Sequence, residues 1–122
     1  MDEGLRLVAA SDVVAIPSTR SNWSRGQLPA KLIDAMMLGR AIVATSTGPI
    51  AWALGTAGLL VPPDDLKALK SALERLRDPQ LRLELGAAAR DRAEKVFSVA
   101  VLSEVFRLTC ERELLEFRRR SA

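Results

Sequence analysis

The sequence contains no histidine and a single cysteine, Cys110. The absence of histidine removes the commonest general base, the commonest metal ligand and the usual partner of a nucleophilic serine. One cysteine excludes an internal disulfide framework, and without histidine a zinc site is not expected. We therefore expect no metal and no cofactor, and we expect any part in catalysis to come from binding and electrostatics.

Aromatic residues are also scarce, because tyrosine is absent and the aromatic fraction is 4%. The chain therefore offers no platform on which the bases of a nucleic acid could stack. No apolar run approaches the ~20 residues that span a bilayer. The first residues, Met1-Asp2-Glu3, are acidic where a secretory signal would be basic. Together with the single cysteine, these features predict a cytoplasmic location.

What the chain does have is typical of one soluble globular domain. Of its 122 residues, 48% are hydrophobic and 27% are charged. The net charge of +3 permits an anionic ligand. Lysines and arginines are interspersed with carboxylates along the whole chain, so nucleic acid is not expected as a partner.

Three short apolar segments alternate with helical patterns. The segments 12–16, 41–45 and 59–61 are predicted strands, and the first is a β-branched run typical of a strand covered on both faces. Strands that alternate with helices predict a parallel α/β arrangement. Three strands followed by helices make only half of a doubly wound sheet.

Helix boundaries are marked by capping residues. A short amphipathic helix is predicted over 2–10, and Asp65, the pair Asp78-Pro79 and Ser98 are predicted to begin three later helices. The predicted inward positions of these three helices are Leu66, Leu69, Leu73 and Leu76, then Leu81, Leu85, Ala88, Ala89 and Val96, then Leu102, Val105, Phe106, Leu114 and Leu115.

The most informative stretch is a glycine-bearing loop followed by a helix with a stop signal, residues 26–39. Pro29 suits the first helical position and Gly39 the residue just past the end. Lys31 and Asp34, three apart, share one side of this helix. A helix that follows a small-residue loop presents free N–H groups to a phosphate, and a carboxylate one turn further in can accept hydrogen bonds from sugar hydroxyls.

Three segments of the chain, made up of five pieces in order, resemble the GT-B glycosyltransferases of the family 4 type. The central one is similar to the family's donor-binding helix, whose pattern is P-x-K-L-x-[ED]-[AY]-M-x-x-G-x-[PA]-[IV]-V-A. Its residues here are Leu28-Pro29-Ala30-Lys31-Leu32-Ile33-Asp34-Ala35-Met36, Gly39 and Ile42-Val43-Ala44-Thr45. The flanking segments are Ser11-Asp12-Val13-Val14-Ala15-Ile16-Pro17-Ser18 and Ala57-Gly58-Leu59-Leu60-Val61-Pro62-Pro63-Asp64-Asp65. The resemblance extends to about Phe97-Ser98.

The resemblance implies a partial Rossmann-like fold and a nucleotide-sugar-dependent transferase. Residues 1–98 would form the C-terminal half of the donor-binding domain, and residues 99–122 a helix that crosses back to a first domain. Asp34 would bind the ribose, and Lys31 would face the diphosphate. The backbone N–H groups of Gln27 and Leu28 would also face it, with Gly26 leaving room for a ligand. The simpler alternative is that Lys31 and Asp34 are solvated surface charges, paired or held by the helix dipole.

The chain departs from the family pattern at two places. Gly26 replaces the first glutamate of an E-x7-E pair that the family links to the donor sugar, which puts that contact in doubt. In the later turn, relatives have G-G-[IV]-P-E, whereas here Pro49 replaces the second glycine and Trp52 the acid. Gly48 is therefore interpreted as a structural turn residue.

Four further side chains admit two interpretations each. Trp23 and Trp52 either line a nucleotide pocket or lie in the core, which is the commoner fate of tryptophan. Arg20 and Arg25 either help to neutralise a diphosphate or are ordinary surface charges.

Two other functions stay open at this point. The chain could be a catalytically inactive piece or a docking module that self-associates through an exposed sheet edge and the last helix. A nucleotide-sugar epimerase is the other alternative, which the P-x-K-L-x-D pattern does not favour. The terminal Arg118-Arg119-Arg120 could contact an anionic membrane surface or form a solvated tail. The acceptor is not indicated.

Overall fold

The computed structural model describes residues 3–21 and 25–121. Within these ranges, six helices and three strands follow one another along the chain. They are α1 (Glu3–Ala10), β1 (Val13–Ile16), α2 (Ala30–Met37), β2 (Ala41–Thr45), α3 (Ile50–Leu54), β3 (Leu59–Val61), α4 (Leu66–Arg75), α5 (Pro79–Phe97) and α6 (Val99–Ser121).

The three strands form one parallel sheet in the order β1-β2-β3. Val13 lies beside Ala41 in the first pair, and Val43 lies beside Leu59 in the second. Each crossover carries a helix, as parallel strands require. The predicted α/β class with three parallel strands and flanking helices is confirmed.

The central strand β2 separates two hydrophobic clusters, because successive side chains of a strand point to opposite faces. Ile42 and Ala44 belong to the larger cluster, which also contains side chains of α2, α3 and α5. Ala41 and Val43 belong to the smaller one, with Leu76 just after α4. All five residues of β2 are buried, so this strand is the centre of the core.

The prediction that β1 is covered on both faces is wrong. Val14 and Ile16 are buried, whereas Ala15 is exposed on the other face. The reason is that α4 packs against β2 and β3, which leaves the second face of β1 partly open. Within the described residues β1 and β3 are the two edges of the sheet.

Helix α2 ends at the predicted glycine. Gly39 has a φ of +63°, and its N–H donates to the carbonyl of Met36 while the N–H of Arg40 donates to that of Ala35. These two bonds form a Schellman motif, in which the left-handed residue is usually glycine. At the other end the prediction was off by one residue: Pro29 is the N-cap, and the helix begins at Ala30.

The last turn of α2 packs closely on α5 through two glycines. A Cβ built on Gly86 would lie 2.2 Å from the carbonyl oxygen of Gly39, much closer than such atoms can approach. Gly86 therefore lets the middle of α5 contact the chain reversal between α2 and β2. This contact fixes the position of α2 relative to the rest of the core.

The three predicted capping residues are confirmed. The carboxylates of Asp65 and Asp78 accept hydrogen bonds from the N–H groups of Ala68 and Gln80, both at 2.9 Å. The hydroxyl of Ser98 accepts a bond from the N–H of Val101 at 3.3 Å, at the start of α6. Caps are local, which is why sequence reasoning locates them.

Several predicted core positions are wrong. On α4, Leu66 and Leu73 are 79% and 40% exposed, because the side of the helix that packs on the smaller cluster carries Ala68, Leu69 and Ala72 instead. On α5, Ala88 is exposed, whereas Ala89 is fully buried as predicted. The inward stripe of α5 runs through small residues, because the helix lies too close to its neighbours for larger ones.

Helix α6 contributes no buried residue to the core. The predicted apolar positions on this helix are all at least 49% exposed: Leu102, Val105, Phe106, Leu114 and Leu115. The single cysteine, Cys110, lies in α6 and is half-buried. Ion pairs along the surface of the helix join Arg107 to Glu104 and Glu111.

Candidate functional site

A cleft of about 580 Å³ lies at the carboxyl edge of the sheet, where all three strands end. Its volume is in the range of ~300–1,000 Å³ that is usual for small-molecule sites. Each strand contributes to it through the chain that follows. The lining residues are Arg20, Ser21 and Arg25 after β1, Ser46, Thr47 and Gly48 after β2, and Pro63 after β3. Parallel α/β sheets bind their ligands at this edge.

The charged side chains that line the described part of the cleft are all positive. Arg20 and Arg25 form no ion pair with any residue in the described ranges, and no described lining residue is a carboxylate. Two exposed guanidinium groups without a counter-charge favour an anion in the space between them.

Thr45, the last residue of β2, connects the two loops that line the cleft. Its buried hydroxyl accepts a hydrogen bond from the N–H of Ser18 at 2.8 Å and lies 2.8 Å from the carbonyl oxygen of Ser18, to which it donates. One side chain thus satisfies both backbone groups of a residue at the exit of β1. The loop after β1 is thereby held against the end of β2, 27 positions away in sequence.

Thr47 is the most unusual residue of the cleft. It is only 8% exposed, and its Oγ1 has no hydrogen-bond partner within the described part of the chain. Its own N–H donates to the carbonyl of Thr45 at 2.9 Å, which forms the tight turn after β2. The next residue, Gly48, has a φ of +48°, so its predicted role as a turn residue is confirmed.

The two predicted helix residues, Lys31 and Asp34, lie in the first two turns of α2. Lys31 is exposed and Asp34 is half-buried, and neither forms an ion pair or a side-chain hydrogen bond among the described residues. The alternative in which the two side chains pair with each other is therefore wrong for this structure. Neither residue is among those that line the cleft. Their proposed contacts with a ligand stay predictions.

The predicted loop residues precede α2. Gly26 and Gln27 are exposed, and a Cβ on Gly26 would meet no atom within 4 Å, so the chain there is open to an incoming group. The side chain of Leu28 packs against the larger cluster and anchors the loop. The N–H groups of Gln27 and Leu28 donate to no acceptor in the described ranges, which leaves them free for an anion.

Of the two tryptophans, Trp52 lies within the described residues. Trp52 is 59% exposed on α3 and lies edge-on to Phe97, with the ring centroids 5.7 Å apart. The predicted core position is therefore wrong for Trp52. It is not among the described residues that line the cleft, and a contact with a nucleotide stays a prediction. Trp23 lies outside the described residues.

Among the described residues, no group of three or more cysteine, aspartate or glutamate side chains lies close enough together to hold a metal ion. No helix in the ranges 3–21 and 25–121 is long and apolar enough to cross a bilayer.

Sequence reasoning missed the contribution of the loop after β2. The small-residue run Ser46-Thr47-Gly48 after a buried strand was the available signal, since such turns often face a ligand in parallel sheets. The role of Thr45 had no sequence signal, because its bonds to Ser18 exist only in the folded chain.

Solved structures of glycosyltransferases share the fold of this chain. Sucrose-phosphate synthase from Thermosynechococcus elongatus matches with a TM-score of 0.74 and 29% identity, over 90% of this chain and 27% of that one. HepE from Anabaena in complex with UDP matches with the same TM-score and 25% identity, over 87% of this chain and 29% of that one. HepE in complex with UDP-glucose matches equally well, over 91% and 30% of the two chains. A search among curated protein sequences finds no match.

The chain thus spans less than a third of the length of these structural relatives. Residues 2–78 match the model of the family described as glycosyl transferases group 1. This segment contains all three strands, helix α2 and every described residue that lines the cleft. The chain belongs to the group 1 glycosyltransferase family.

Proposed function

We propose that this chain forms the nucleotide-binding half of the donor domain of a nucleotide-sugar-dependent glycosyltransferase. The observation that carries the proposal is the cleft at the carboxyl edge of the sheet, lined by two unpaired arginines. The presence of UDP and of UDP-glucose in the HepE structures supports a nucleoside diphosphate sugar as the donor.

In the reaction of such an enzyme, the bond between the anomeric carbon of the sugar and the diphosphate breaks. A new bond forms to the oxygen of an acceptor hydroxyl, which loses its proton. Negative charge then develops on the leaving diphosphate, so donors already aimed at the phosphates stabilise the transition state more than the bound substrate.

The residues of α2 have separate parts in this proposal. Asp34 accepts hydrogen bonds from the ribose hydroxyls, since a carboxylate offers two acceptor oxygens. Lys31 and the N–H groups of Gln27 and Leu28 face the diphosphate, and the open backbone at Gly26 lets the ligand approach. The helix of residues 99–122 would cross to a first domain, which would bind the acceptor and form the other wall of the cleft.

Thermal unfolding with and without nucleotide tests the proposal. Of millimolar UDP, GDP and ADP, the nucleotide whose base the site prefers should raise the midpoint of thermal unfolding most, because binding to the folded state stabilises it. Asp34→Ala should remove that rise. Asp12→Ala is the matched control, because it removes the same carboxylate from an exposed position beside a cavity at the opposite, amino-terminal end of the sheet. A nucleotide-dependent rise that Asp34→Ala leaves intact would contradict the ribose contact.

We expect no sugar transfer by this chain alone, because one sheet supplies only one wall of a donor–acceptor cleft. Turnover above background with any nucleoside diphosphate sugar would refute that expectation.

The second candidate is a docking module without turnover, which the exposed apolar side chains of α6 favour. Self-association through this helix or a sheet edge would appear as a concentration-dependent mass in analytical ultracentrifugation. Peripheral membrane contact through Arg118, Arg119 and Arg120 and a cytoplasmic location also stay predictions. Sedimentation with anionic vesicles tests the membrane contact.

A further inference from the structure

A second cavity, of about 470 Å³, lies at the amino-terminal edge of the sheet, at the opposite end of the strands from the cleft described above. It is lined by Asp12 just before β1, by residues 38–41 before and at the start of β2, and by the first half of α5. No described residue lines both cavities. Its volume also suits a small molecule. Three of its lining residues are arginines, namely Arg40, Arg82 and Arg90.

The close contact between Gly39 and Gly86 brings these three arginines together. Arg82 and Arg90 lie one turn before and one turn after Gly86 on neighbouring positions of α5, ~12 Å apart along the helix axis. A Cβ built on Gly86 would lie 3.7 Å from the carbonyl carbon of Arg40, and one built on Gly39 would lie 3.9 Å from the Cβ of Arg90. The backbone of Arg40 therefore lies beside the middle of the pair on α5.

The positive charge around this cavity exceeds the negative charge that is paired with it. Arg90 forms an ion pair with Glu94 at 2.9 Å, whereas Arg40 and Arg82 are half-buried and form no ion pair with any described residue. Asp12 is the one carboxylate among the described lining residues, and it is not paired with an arginine either. Guanidinium groups that share one cavity repel each other, and partial burial reduces the screening by water, so this arrangement favours an anion.

The hydrogen bonds of Arg40 and Arg82 fix both side chains without using all of their donors. Nε of Arg40 donates to the carbonyl of Leu38 at 3.0 Å, and its Nη1 lies 3.3 and 3.4 Å from two carbonyl oxygens near the end of α1. Nη1 of Arg82 donates to two carbonyls just after α4, at 2.8 and 3.0 Å. Nη2 of Arg40, and Nε and Nη2 of Arg82, have no acceptor in the described ranges. Unused charged donors are thus held in place at the cavity.

We propose that this second cavity binds a phosphate group through Arg40 and Arg82, with Arg90 adding to the positive potential. A phosphate carries up to two negative charges and several acceptor oxygens, which match the planar, forked donors of guanidinium groups. Inorganic phosphate and phosphate monoesters share this chemistry. The site is separate from the cleft at the carboxyl edge, and it does not rest on the proposed function.

Inorganic phosphate and glycerol 3-phosphate are the probes. Each should raise the midpoint of thermal unfolding of the full chain in a saturable manner, and the rise should shrink as salt screens the arginines. Tighter binding of glycerol 3-phosphate would identify the ligand as a phosphate monoester, and equal affinities would identify it as inorganic phosphate.

Substitution of Arg82 should weaken the binding of both probes. Arg82→Gln should lower the affinity at least about tenfold, because hydrogen bonds between charged groups are lost, and Arg82→Lys should lower it less because the charge remains. Arg25→Ala and Asp34→Ala, which change the other cleft and α2, should leave the affinity for phosphate unchanged. If Arg25→Ala removes the response and Arg82→Gln does not, phosphate binds at the carboxyl edge and the proposal is wrong.

Ala87→Glu and Ala88→Glu give a matched test that leaves every arginine in place. Both alanines are exposed neighbours on α5, but of the two only Ala87 lines the cavity. The unliganded midpoints of the two variants should therefore be similar. Repulsion from the new carboxylate should weaken phosphate binding about threefold to tenfold in Ala87→Glu and leave it near the wild-type value in Ala88→Glu. Equal affinities in the two variants would overturn the proposal, as would a wild-type chain that responds to neither probe.

Discussion

The contact between the end of α2 and the middle of α5 makes a substitution at Gly86 a strong test of the packing. In Gly86→Ala the new Cβ would lie 2.2 Å from the carbonyl oxygen of Gly39 and 3.1 Å from its carbonyl carbon. Both atoms belong to the backbone of the turn between α2 and β2, so no side-chain rotation relieves the overlap. Either α5 or this turn must move.

The size of the effect follows from two opposing terms. In the middle of an exposed helix, alanine is more favourable than glycine by ~1 kcal/mol. Forcing an extra group into a packed site costs ~1–3 kcal/mol, and a contact with backbone belongs at the upper end of that range. The net result should be a loss of roughly 2 kcal/mol of unfolding free energy, opposite in sign to the helix propensity alone.

Urea unfolding followed by far-ultraviolet circular dichroism measures this free energy. Ala88→Gly is the matched control, because Ala88 is exposed two residues further along the same helix. It should lose only the propensity difference of ~1 kcal/mol. If Gly86→Ala is as stable as the wild type or more stable, then α5 does not lie against the turn at Gly39, and the reasoning is refuted.

Two further predictions concern the loop exit and the last helix. Thr45→Val leaves the carbonyl of Ser18 without its donor and removes one of the two acceptors of the Ser18 N–H, which keeps the carbonyl of Ile16, so the chain should lose ~1–3 kcal/mol in urea unfolding, whereas Thr45→Ser should lose much less. An equal loss in both variants would indicate a packing effect rather than the hydrogen bonds. The hydrogen bond from Arg107 lowers the pKa of Glu104 below its usual 4.5. The ionised Glu104 therefore stabilises α6 fully above pH 4.5, and this stabilisation is lost as the pH falls through the lowered pKa. The helical dichroism should therefore decrease on acidification, and less so in Glu104→Gln; an identical pH profile in both would contradict the assignment.

Much of the fold could be predicted because it depends on neighbours in sequence. The N-caps at Asp65, Asp78 and Ser98 and the stop at Gly39 are decided within a few residues, and all four are confirmed. The order of strands and helices followed from the same local signals.

Burial could not be predicted as well, because it depends on what covers each surface. Leu66 and Leu73 have the spacing of core residues but are exposed, since Ala68, Leu69 and Ala72 occupy the side of α4 that packs on the smaller cluster. Ala15 has the surroundings of a buried strand residue but lies on a face that no helix covers fully. A periodic pattern identifies the apolar side of an element, and only packing decides whether that side is covered.

The candidate site could likewise be predicted from the sequence only in part. The positions of Lys31 and Asp34 at the start of α2 were predicted from a pattern within one helix, although their contacts with a ligand stay predictions. The cleft itself was not predicted, because it combines the chain segments after three different strands. The burial of the Thr47 hydroxyl without a partner among the described residues was likewise visible only in the structure.

The sequence by itself determined the family, the class of fold, the order of the elements and the residues that begin and end the helices. These properties depend on motif spacing, on periodicity and on short-range hydrogen bonds. Only the tertiary structure decided which apolar faces are buried, how closely α2 and α5 approach at Gly39 and Gly86, and which loops enclose the cleft. Those properties depend on contacts between residues far apart in sequence, such as Ser18 and Thr45, which form only when the parallel strands align.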